Sequence, residues 1–102
     1  MNDIRDDKSK AIENIVCDFL GFPVEKVFSK SLKRDLVLAR HLTIFILHEC
    51  EKLSIRYLAN RYGHSVRSTN RICANIRSYI EYDKKLRNQY QCLLRYMKEI
   101  GE

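Results

Sequence analysis

Arg67, Ser68, Arg71 and Asn75 follow one another at spacings of one, three and four residues, which gathers them toward one side of a helix. Their chemistry suits the edges of nucleobases. A guanidinium donates two parallel hydrogen bonds to guanine, a carboxamide donates and accepts on adenine, and a hydroxyl bonds to either. Ala74 leaves room for close approach to a base or a thymine methyl group. On a wheel of about 100° per residue with the apolar stripe at zero, Arg67, Arg71, Ala74 and Ser78 fall at roughly 140–200°, and Ser68, Asn70, Asn75 and Arg77 flank them. Between Glu51 and Glu81 there is no acidic residue, but there are the cations Lys52, Arg56, Arg61, Arg67, Arg71 and Arg77. This segment matches the whole formal excess of +6. A localised positive face attracts a polyanion through phosphate neutralisation and counterion release, so double-stranded DNA is the expected partner. Arg56 and Arg61 are expected to touch phosphates, and His64, at the turn before the helix, is positioned to meet another.

Other chemistries lack their parts. There is no G-x-x-x-x-G-K-[ST] loop, no H-E-x-x-H and no G-x-S-x-G, so no enzymatic activity and no cofactor are expected. Cys17, Cys50, Cys73 and Cys92 form no C-x-x-C pair and have no histidine at ligand spacing, and His41 and His48 lie two helical turns apart, so no metal site is expected. The cysteines read as reduced, small hydrophobic residues. Met1 to Lys8 is polar and lacks the apolar stretch of a signal peptide. No run reaches the roughly 18 apolar residues of a membrane span, so the expected setting is the cytoplasm.

The elements that would hold these residues are helices. A hydrophobic content of 45% with 3 glycines and 1 proline describes a loop-poor single domain. Residues 1–8 read as a flexible N-terminus and residues 9–102 as the domain. Ile12, Ile15, Val16, Phe19 and Leu20 form one helical face from about Ser9 to Gly21, and Val24 to Phe28 reads as a helical turn after Pro23. Asp35 to about Lys52 is apolar nearly all round and therefore central. Ser54 caps a short helix ending near Tyr62, Gly63 supplies a turn, and a longer helix after Ser65 turns Thr69, Ile72, Cys73, Ile76 and Ile80 inward. Short helix, turn, longer helix is the helix-turn-helix order. A last helix near Asp83 carries the heptad-like seam Leu86, Tyr90, Leu93, Met97 and Ile100. The seam packs on its own domain or pairs two copies into a homodimer.

The segment Lys33-Arg34-Asp35-Leu36-Val37-Leu38-Ala39-Arg40-His41-Leu42 resembles K-R-E-I-V-L-A-R-Q-I in domain IV, the DNA-binding domain of the bacterial replication initiator DnaA. The likeness continues through Leu53-Ser54-Ile55 and Leu58 to Gly63 and into Ile80 to Leu86, and so spans roughly Ala11 to Ile100. It implies an all-α, Trp-repressor-like helix-turn-helix domain. By this resemblance Arg40 matches an arginine that enters the minor groove, and Lys33 and Arg34 match a basic loop on the DNA backbone. The family's G-G-R-D-H-T-T-V meets Gly63-His64-Ser65-Val66-Arg67-Ser68-Thr69, one residue shorter, with Ser65 and Val66 in place of the base-reading aspartate and histidine. The resemblance therefore implies a stand-alone DNA-binding module with a different target, regulatory or associated with replication or a mobile element. The rival expectation is a protein-interaction adaptor that keeps the fold without reading DNA.

Overall fold

The computed structural model describes residues 3–100. It contains six helices and, among the described residues, no strand: α1 Ile4–Leu20, α2 Val24–Val27, α3 Arg34–Glu49, α4 Ile55–Tyr62, α5 Val66–Tyr82 and α6 Lys84–Ile100.

Helix α3 is the centre of the molecule. Leu42 to Leu47 are buried without interruption, which places helix neighbours on every side of that stretch; α1, α2, α4 and α5 all pack against it. The one polar side chain of the run, Thr43, is satisfied by donating to Ala39 O at 2.8 Å. Helix α3 ends at Glu49, three residues before the expected Lys52. Lys52 adopts a positive φ of 60°, and the chain folds back so that Leu53 N–H reaches Leu47 O at 3.0 Å. His48 clamps the same corner by donating from Nδ1 to Leu53 O at 2.9 Å.

Helix α1 begins at Ile4 instead of Ser9. Asp3 caps it by accepting from Arg5 N–H at 2.8 Å. Ser9 is fully buried and donates to Arg5 O. Six of the residues expected to be flexible, Asp3 to Lys8, thus form its cap and first turns, while residues 1 and 2 of that segment, and 101 and 102 at the other end, lie outside the described residues. Gly21 ends the helix at φ 80°, a left-handed conformation that glycine adopts at no steric cost.

Helix α6 packs on α5 and α1. Leu86 and Leu93 of its seam are buried and Tyr90 meets the edge of the Phe45 ring at 5.8 Å. The seam is thus used within the domain, and Ile100 is its exposed member. The junction into α6 is tied by Asp83, whose carboxylate accepts from Leu86 N–H, and by Arg87, which donates to Ile80 O at 3.0 Å and to Glu81 O. All four cysteines are free thiols. Cys17 and Cys73 are buried as expected of small hydrophobic residues, and burial pushes the Cys17 thiol up to about 11; Cys50 and Cys92 are exposed.

Candidate nucleic-acid interface

Helices α4 and α5 start in the same way, because each is preceded by a serine in extended conformation. Ser54 Oγ accepts from Tyr57 N–H at 3.1 Å and Ser65 Oγ accepts from Ser68 N–H at 3.0 Å. Each bond satisfies one of the donors that a helix start leaves open. Gly63, at φ 72°, makes the turn between them, with its own N–H and that of His64 both directed to Ala59 O. Thr69 is buried and donates to Ser65 O at 2.9 Å, which locks the first turn of α5 to its cap.

This start fixes the azimuth of α5. Thr69, Ile72, Cys73 and Ile76 are buried, and Arg67, Ser68, Asn70, Arg71, Ala74, Asn75 and Ser78 are exposed. Ser65 itself is exposed at the cap, and Val66 is exposed beside it. The polar face read from the sequence is therefore a single solvent-facing surface carrying Arg67, Ser68, Arg71 and Asn75 together.

The cations of the window divide into two groups. Arg61, on α4, lies under α1 and is paired with Glu13 at 3.0 Å and Asp6 at 3.3 Å. Tyr62 donates to Glu13 at 2.6 Å and Tyr57 donates to Asp6, so two tyrosines complete the cluster. Burial alone would lower the pKa of Arg61, but the neighbouring Tyr62 and Glu13 outweigh it and hold the pKa above the ordinary value. Burial and the Glu13 hydrogen bond likewise raise Tyr62. Arg77 pairs with Glu49 and lies 5.8 Å from the centre of the Phe45 ring. Lys52, Arg56, Arg67 and Arg71 are exposed and, among the described residues, form no ion pair.

A second set of free cations comes from outside the window. Lys30, Lys33 and Arg34 are exposed on the loop entering α3, of which Lys33 is the cap residue and Arg34 the first residue. Arg40 is half-buried beneath this loop, donating from Nε to Val27 O at 2.8 Å and from Nη2 to Ser31 O at 2.9 Å. Entry of its guanidinium into a DNA groove would require breaking both bonds. Leu32 and Arg34 on one side and Asn75 on the other line a groove of about 820 Å³ between α3 and α5. Asp35, Asp83 and Lys85 line it too, so its charges are mixed; it lies between the basic loop and Asn75 at the edge of the polar face of α5.

His64 is half-buried, and its Nε2 is buried without a hydrogen-bond partner. It lies close enough to His41 on α3 for its charge to lower the pKa of His41. Its Nε2 is thus shielded from solvent. Leu32 is the one large apolar residue in the polar stretch from Ser29 to Asp35, and it is exposed.

Comparison with known proteins agrees with this geometry. Residues 9–72 match the family described as the bacterial DnaA protein helix-turn-helix, from the middle of α1 into α5. No match was found among curated proteins. The matched segment covers more than half of the chain and includes the basic loop, the capped turn and the first part of the exposed α5 face, so the chain belongs to the DNA-binding helix-turn-helix family of the bacterial DnaA protein.

Proposed function

We propose that the domain binds duplex DNA with sequence preference. Helix α5 enters the major groove, Arg67, Ser68, Arg71 and Asn75 read base edges, and Arg56, Lys33 and Arg34 contact phosphates on either side. The observation that carries this reading is the outward face of α5, where two arginines without an ion-pair partner among the described residues, a serine and an asparagine stand together without a carboxylate. A merely solvated face would mix acids with its bases. Arg61 takes no part in DNA contact, because its charge is used to fasten α4 to α1.

The base preference differs from that of the initiator. An aspartate accepts from a cytosine amino group, but Ser65 spends its oxygen on the Ser68 N–H and Val66 offers methyl groups alone. Regulation of transcription or replication at such a site, chromosomal or on a mobile element, is the role that accords with a non-catalytic binding domain.

In-vitro selection on random duplexes tests the reading. Enrichment of a motif that is bound at least about a thousandfold better than scrambled duplex at the same salt concentration is expected. The initiator's consensus box should gain less than about a hundredfold over the scrambled duplex. Selection without enrichment, together with no response of binding to salt, would favour a protein-interaction adaptor instead.

A further inference from the structure

Val66 is the first residue of α5, and it is 44% exposed. It is the one exposed large apolar side chain between Gly63 and Ser78, set among the exposed polar residues Ser65, Arg67, Ser68 and Asn70. Stability gives no reason for a valine there. The buried side of α5 begins only at Thr69, and a β-branched residue lowers helix propensity.

The turn that carries Val66 is closed by three hydrogen bonds. Ser65 Oγ accepts from Ser68 N–H at 3.0 Å, and Ser65 O accepts from Thr69 N–H at 3.0 Å and from the Thr69 hydroxyl at 2.9 Å. Valine is itself stiff about χ1, so little conformational freedom remains to be lost when its methyl groups meet a surface. In a helix-turn-helix it is the N-terminal residues of the second helix that reach base edges. Val66 is the first of these in α5.

Base edges in the major groove present hydrogen-bond donors and acceptors, with one apolar exception, the C5-methyl group of thymine. A valine side chain has no donor or acceptor. Pressed on an amino or carbonyl group it would strip that group of water and give nothing in return, whereas on a methyl group it incurs no such cost. We infer that Val66 reads a base methyl group in the major groove, that of a thymine or of a 5-methylcytosine, which carries its methyl on the same ring carbon. This rests on the proposed docking of α5 and names what its first turn recognises. Ala74, the other exposed apolar residue on this part of the helix, lies about 12 Å further along, so a single base position feels Val66 alone.

The test is a methyl scan of the motif selected by the full chain, in which each thymine on either strand is replaced singly by deoxyuridine, removing the methyl group and nothing else. Binding should weaken by roughly 3–10-fold at one position. Val66→Ala should abolish the response at that position while leaving the salt slope and the melting temperature unchanged, because it removes apolar contact and no charge. Val66→Ile should keep the response. With cytosine and 5-methylcytosine placed at the same position, the methylated base should be preferred by a similar factor, and Val66→Ala should remove that preference too. A motif without thymine, a scan in which no position responds, or a response that persists in Val66→Ala would each overturn methyl reading by Val66 while leaving DNA binding intact. Failure of the unmodified protein to select or bind any duplex would instead bring down the docking on which it rests.

Discussion

Arg56 and Arg61 lie five residues apart on one short helix and carry the same charge, and the structure gives them opposite duties. Replacing each with glutamine separates these duties. Arg56 is exposed without an ion-pair partner among the described residues, so its loss should remove one phosphate contact and reduce the slope of log K against log salt by about 0.9, equivalent to roughly 3.5-fold over a fourfold change in salt. Its melting temperature should hardly move. The Arg61 side chain is 19% exposed and that of Glu13 12%, so Arg61→Gln strands a nearly buried carboxylate whose remaining partner is the Tyr62 hydroxyl. Asp6 is 46% exposed and adds little. A fully buried pair costs about 3–5 kcal/mol to break and an exposed one at most about 1. The intermediate burial here gives about 2 kcal/mol, or a melting temperature lower by roughly 8–16 °C. Glu13→Gln placed in the Arg61→Gln background should recover part of that loss, since the stranded charge is gone. Thermal melts and binding titrations at four salt concentrations decide the matter. A flattened salt slope in Arg61→Gln with an unchanged melting temperature would refute the division of the basic window.

Two further perturbations address α5 and α3. Arg71→Ala should cost about 1–3 kcal/mol on the selected site and relax choice at one base pair, with little effect on scrambled duplex; equal loss on all sequences would reassign Arg71 to the backbone. His41 is held below its ordinary pKa of 6.5 by burial, then by the charges of His64 and Arg40. A base whose folded pKa is depressed contributes its full stability above the unfolded value and loses it as pH falls through 6.5 toward the folded value. Melting temperature should therefore decline on acidification from pH 6.5 toward 5, and His41→Gln should flatten the decline; an unaltered slope in that variant would assign it to other groups.

What the sequence made legible was local. The serines at 54 and 65, the glycine at 63 and the buried spacing from Thr69 to Ile76 each act within one or two helical turns, and their effect can be read from neighbours along the chain. The central helix was legible for the same reason, since six consecutive buried residues leave no polar face. The fate of the charges was not. Arg61 meets Glu13 across 48 positions, and Arg77 meets Glu49 from a helix that enters from the opposite side of the Glu51 boundary. A stretch without acids is a fact about the chain, and a positive face is a fact about space; α1 and α3 supply the acids that separate the two. The start of α1 was missed because its first turns are polar, and what anchors them is Tyr57 on α4, invisible to any periodicity within residues 1–8.

Once Arg61 and Arg77 are set aside, the cations proposed to meet DNA lie on two elements, the loop before α3 and the α4–α5 unit, and both are borne by α3. Lys33 and Arg34 are the beginning of that helix, and Arg40, two turns in, holds the loop to it. The same helix packs its buried stretch, Leu42 to Leu47, against α5. The distance between the basic loop and the reading face is therefore set by one helix, whose buried stretch from Leu42 to Leu47 is unable to shift without opening the core. The separation of phosphate and major-groove contacts on the duplex is itself fixed by the DNA helix, so a cavity cut into α3 acts on both contacts at once. It loosens the one dimension that the domain must match to its target, and so affects selectivity through residues that never touch DNA.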